Sequence, residues 1–292
     1  MQTHCGFMQQ SCLHITKLDT GDFTLTAYRK ALISFIDILG FRQIVASRKC
    51  NEISKALKTM RQFSEGDDSG EDFSARVIQF SDSIIRIRPL DSEKNEEGGY
   101  GALFHELLDI GMMQGDLANN NIYIRGGITV GDISYEDGNI FGPGFIRAYD
   151  LESKIANYPR IVVDRKILNE MKTDSRLYSF HNDLDDEIGY IARELKRGSD
   201  GIHFIDYLRI TTNNMDDPVL GGHSFLKQHK ENILGNIKST SELDGETGKY
   251  LWAAVYHNQF LDSEIKSNKD TLELWITEDE LPLLETVQDP RV

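Results

Sequence analysis

The chain has 292 residues and a net charge of −15, from 47 acids against 32 bases. Its length is enough to bury a sizeable core, and 39% hydrophobic with 27% charged residues is the composition of a globular protein. The acidic balance excludes nucleic acid as the main ligand, because that partner calls for a basic patch; a small anion stays possible where a cation supplies local positive charge. No apolar run is long enough to span a bilayer and the first residues lack a signal-peptide pattern, so the expectation is a cytoplasmic protein with no membrane partner. Cys5, Cys12 and Cys50 form no paired framework, which fits a reducing compartment. The stretch His4 to His14 matches no usual zinc spacing and belongs to an N-terminal arm.

"ALISFIDI" (Ala31 to Ile38) reads as a buried strand, short and rich in β-branched residues. Gly40 follows, then one helical stretch to about Phe63, then a polar loop from Glu65 to Phe73. "SARVIQFSDSIIRIRPL" (Ser74 to Leu90) reads as a β-hairpin broken near Ser81-Asp82-Ser83, with a solvated loop from Asp91 to Gly99 after it. Tyr100 to Asn120 has helical periodicity, with Leu103, Leu107, Ile110 and Leu117 on one face. Ile122 to Tyr135 is a strand, Asp137-Gly138 a turn, and Pro143 suits the first turn of a helix running towards Asn157. Pro159 to Asp164 is a short strand, and the acidic segment His181 to Gly201 a solvated connection with room for one short helix. Ile202 to Leu208 reads as a strand, and two helices follow near Phe225 to Ile237 and Tyr250 to Ile265. Hairpins interrupt the alternation of strands and helices, so the fold class is an α+β sandwich with a mixed or antiparallel sheet.

Two acids lie in apolar strand context, Asp37 and Asp82. Close carboxylates repel unless a proton or cation is shared. Hard cations such as Mg²⁺ or Mn²⁺ take oxygen ligands and leave positions open for phosphate. Two strand-end acids bonded to backbone explain the same spacing, and spacing alone does not separate the two readings.

The order of four motifs does. "FIDILGF", "FSDSIIR", "RGGITVGD" and "NIFGPGFIRAYDLES" (within Phe35 to Ser153) together resemble the class III nucleotidyl cyclase catalytic domain. The resemblance implies a ferredoxin-like core sandwich spanning residues 28–180, after an arm at 1–27 and before a C-terminal extension of strand and helices at 181–292 packed on it. It implies two divalent ions, Mn²⁺ or Mg²⁺, held by Asp37, Asp82 and the carbonyl of Ile38. It further implies attack of a ribose 3′-hydroxyl on the α-phosphate, and a homodimer with sites between two copies.

Where adenylate cyclases carry a purine-reading Lys, this chain has Ile78, and Asn139 stands at the second base-reading position. Ile146 and Asp150 replace the family's catalytic Asn and Arg, which makes Arg147 the candidate substitute. Arg42 is a phosphate-binding candidate, and Arg125 reads as an ordinary strand-end pair. "FGPGFIRAYDLES…YPRIVVD" is similar to the bacterial pyrimidine cyclases of the Pycsar antiphage systems. That implies UTP as the favoured substrate, cyclic UMP as messenger to a separate effector, and CTP with cyclic CMP as the alternative. A catalytically inactive, nucleotide-sensing dimer is the further alternative. Asn139 reads equally well as a plain turn residue.

Overall fold

The computed structural model describes residues 28–64, 75–93, 99–135, 139–240, 247–265 and 271–281. The N-terminal arm, the loop Glu65 to Phe73, the Asp137-Gly138 turn, Cys5, Cys12 and the chain's last residues lie outside these.

One seven-stranded mixed sheet organises the chain, in the order β2-β3-β1-β4-β5-β7-β6. The strands are β1 (Arg29–Ile38), β2 (Arg76–Phe80), β3 (Ser83–Pro89), β4 (Ile124–Ile133), β5 (Ile161–Val163), β6 (Leu195–Arg197) and β7 (His203–Ile205). Only β4 and β5 pair parallel; the other neighbours are antiparallel. The alternation of side chains along β1 divides the molecule. Leu32 and Ile36 point into the main core, with Leu103, Leu107 and Ile110 of α3 (Ala102–Asn119), while Ala31, Ile33 and Phe35 point to a smaller core beneath α4 (Pro143–Asp150). The main core continues outward into α7 (Tyr207–Asn213), α8 (Leu220–Ser239) and α9 (Thr247–Glu264).

Three segments differ from the sequence expectation. The stretch after Gly40 is two helices, α1 (Phe41–Ser47) and α2 (Cys50–Ser64), parted at Arg48, whose backbone is extended. The acidic segment holds an eleven-residue helix, α6 (Leu184–Glu194), and β6. Its acids divide by role: Asp183 caps the helix by accepting from the Asp186 amide, whereas Glu187 is fully buried and accepts from the Gly101 amide at 2.7 Å. Ile202 to Leu208 is strand only as far as Ile205, and α7 starts at Tyr207. A further short helix, α5 (Arg165–Glu170), follows β5 and is capped by Asp164.

Candidate active site

Register brings the two acids together. β1 runs antiparallel to β3 with Asp37 opposite Ser83, and the next residue back, Asp82, lies in the two-residue turn between β2 and β3. Ser81 takes the left-handed conformation in that turn, with φ 56°. The turn is pinned to β1 by the Ile38 amide, which donates to the Asp82 carbonyl at 3.2 Å. Gly40, at φ 69°, then swings the chain from β1 into α1, a conformation a side chain would strain.

The environment of Asp37 is that of an undercompensated charge. Burial pushes its carboxyl above the usual carboxylate range and the Asp82 charge adds to this; the Ser83 hydroxyl, donating at 2.9 Å, and the more distant Arg125 oppose it. Among the described residues no cluster of three or more Asp, Glu, His or Cys forms a metal site. The donor set therefore amounts to two carboxylates, with backbone carbonyl oxygen beside them. Oxygen donors with excess negative charge fit a hard divalent cation.

Arg125 and Glu152 complete the group. Arg125 lies opposite Asp37 on β4, so its guanidinium is 3.9 Å from Asp37 and 2.6 Å from Glu152 Oε1, close but not aligned as a hydrogen bond. Glu152 is 4% exposed; burial raises its carboxyl, Arg125 opposes that, and the Asp37 and Asp82 charges reinforce it. It stands in a π-helical turn, Leu151–Ile155, continuing α4. That turn lies directly on the sheet because Gly127 has no Cβ to collide with Leu151. The sequence does not single out Glu152, which joins the group only through the fold.

The remaining candidates separate. Ile78 faces the α4 side: it lies opposite Ile85, which lies opposite Phe35, two residues from Asp37. Phe35 in turn meets Tyr149 edge-on at 5.5 Å. The Ile38 side chain is in the main core, so only its backbone is a candidate ligand. Arg42 is exposed on α1, and among the described residues no carboxylate pairs with it. Arg147 is engaged elsewhere, donating through its guanidinium to Asp164 at 2.7 and 3.1 Å. Asp164 also accepts from Thr129, which is four residues along β4 from Arg125, roughly 13 Å at strand rise. Asn139 is exposed beyond the far end of β4, more than about 25 Å from Arg125 by the same rise. Asp37, Asp82 and Ile78 thus occupy one end of a face, and Arg147 and Asn139 lie towards the other.

No family model and no curated relative matches the chain. Among solved structures it is similar to the monomeric guanylyl cyclase domain of the RhoGC fusion protein from the aquatic fungus Blastocladiella emersonii, at 11% identity and TM-score 0.36, over 62% of this chain and 96% of that one. It is also similar to a bacterial light-regulated adenylyl cyclase, at 13% identity and TM-score 0.38, over 63% of this chain and 95% of that one. Neither likeness is close enough to carry a role over to any residue.

Proposed function

We propose that the protein is a nucleotidyl cyclase, converting a ribonucleoside triphosphate, UTP by preference, into the cyclic 3′,5′-monophosphate and pyrophosphate. The observation that carries this reading is the Asp37–Asp82 pair: one carboxylate near the end of β1 and one in the turn that adjoins it, the first buried beyond what its partners compensate. The four ordered sequence motifs support it. Asp37, Asp82 and the Ile38 carbonyl are the groups to hold two divalent ions, Mg²⁺ or Mn²⁺. When bound, such ions supply Lewis acidity to the 3′-hydroxyl and to the triphosphate.

The chain's own residues do the rest. Arg125 offers positive charge beside the acids for a phosphate, Phe35 and Tyr149 form an aromatic pair two residues along β1 from Asp37, and Ile78 gives a short apolar wall that suits a pyrimidine. Arg42, exposed near the start of α1, is the further candidate to meet a phosphate. The two separated groups on one face favour a homodimer, because a two-fold axis lays the Asn139 end of one copy against the Asp37 end of the other. The Asn139 amide both donates and accepts, as reading a pyrimidine edge requires. A cyclic pyrimidine messenger implies a separate effector, and antiphage signalling is the setting the sequence resemblance suggests.

A second reading, nucleotide sensing without turnover, draws on α4. Arg147 is tied to Asp164, Asp150 is 2.7 Å from Lys154, and Ile146 is exposed, so none of the three offers a ready transition-state donor. Incubating the protein with each of the four ribonucleoside triphosphates and Mn²⁺ decides between them. Cyclic UMP as the main product is expected. A cyclic purine as the main product removes the base assignment, and bound nucleotide without any cyclic product establishes the second reading.

A further inference from the structure

We infer that a groove between α5 and α6, at the outer end of the sheet, is a binding site for a small amphipathic organic anion. Leu168, Met171, Ile191 and Leu195 form its floor and Ile188, 38% exposed, its wall. Its charged rim is of one sign: Arg165, Lys172 and Arg197 line it beside the polar Asn169 and His203, and no Asp or Glu does.

In a chain of net charge −15 that asymmetry is unusual. Four cations nearby are paired: Lys30 and Lys166 reach Glu170, Arg176 holds Asp174, and Arg160 holds Asp200. The local acids are thus engaged away from the groove. Among the described residues Arg165 and Lys172 have no carboxylate within 4.0 Å, and the Arg197 Nε donates only to the Gly201 carbonyl. Unneutralised cations around apolar carbon attract a molecule that carries both properties, since the low-dielectric floor strengthens the charge interaction.

Size and place narrow the occupant. The groove encloses about 380 Å³, within the range of small-molecule sites. The α5 wall is six residues, roughly 9 Å, too short to cradle a docked helix. Four strand spacings, roughly 19 Å, separate β6 from β1 and Asp37, so this is not an extension of the nucleotide site.

The test uses the full chain and 1-anilinonaphthalene-8-sulfonate, whose fluorescence rises in apolar surroundings. We expect saturable binding that weakens by about tenfold or more in an Arg165→Glu/Lys172→Glu double variant and in Ile188→Glu, with circular dichroism unchanged. The uncharged N-phenyl-1-naphthylamine should bind more weakly than the anion. Absence of saturable binding overturns the assignment, as do an affinity indifferent to both variants or tighter binding of the uncharged probe.

Discussion

Replacing Glu106 with Gln tests what holds the two site acids in register. Glu106 is fully buried on α3, against the reverse face of β1 and β3. Its Oε1 accepts from the Ser34 hydroxyl at 2.7 Å and the Arg86 Nε at 3.1 Å; its Oε2 accepts from Arg86 and Arg88, each at 3.0 Å. Ser34 and Arg86 are themselves cross-strand partners in the β1–β3 ladder that sets Asp37 opposite Ser83. Asp109 accepts from the same two arginines at 2.8 Å, so two cations meet two anions. The substitution keeps the shape and leaves one positive charge uncompensated in the core. Despite burial, which acts the other way, the two arginines and the Ser34 hydroxyl hold this carboxyl at about 2, against an ordinary 4.5. That difference corresponds to about 3 kcal/mol, in the range of about 3–5 kcal/mol for breaking a buried pair by removing one partner.

The folded-state value is depressed, so this stability is fully present above pH 4.5 and is lost as pH falls from 4.5 towards about 2. Urea unfolding at pH 7 should show a loss of about 3 kcal/mol in the variant, and its stability should depend less on pH through the acid window than that of the wild type. A loss below about 1 kcal/mol with an unchanged acid limb would refute the reasoning.

Asp37→Asn and Asp82→Asn should each lower the proposed cyclase turnover by about a thousandfold or more, with gel-filtration elution unchanged; near wild-type turnover in either removes the paired-carboxylate mechanism. Glu152→Gln removes a negative charge felt by both acids and releases Arg125 towards Asp37. The Mn²⁺ dissociation constant measured by calorimetry should rise about tenfold, and an unchanged constant excludes Glu152 from the site. In the core between α7, α8 and α9, Tyr207 donates to His229, the His229 and His257 Nδ1 atoms are 3.0 Å apart, and His257 Nε2 donates to the Leu274 carbonyl. Burial holds both rings neutral, His257 down to about 4 from 6.5. Stability should therefore be complete above pH 6.5 and fall towards pH 4, followed by urea midpoints, and His257→Gln should flatten that fall.

The strands that carry the two acids were legible because their residues are apolar, β-branched and bounded by turn-formers: β1 within "ALISFIDI" and the break at Ser81-Asp82 follow from that alone. α6 was obscured because net acidity says nothing about which acids are buried. Asp185 and Asp186 are exposed in the first turn, while Glu187 in the same turn is fully buried against Gly101. α7 was missed because "IDYL" continues an apolar run across Asp206, and apolarity does not distinguish a short strand from a buried helix start. Arg125 and Glu152 belong to the group around Asp37 only through the β1–β4 register and the path of the chain after α4. Those are tertiary facts with no local signature.

The π turn at Leu151–Ile155 acts as a phase shift. Each residue of an α-helix rotates the chain by about 100°, and a π turn carries one residue more than an α turn. Before it, Phe145 and Ala148 fit the small core under α4; within it Leu151 and Ile155, and just past it Ala156, belong to a separate apolar cluster with Val162 and Ile202. The extra residue offsets the helix between the first cluster and the second, where it lies on the sheet above Gly127. Glu152 lies in that offset.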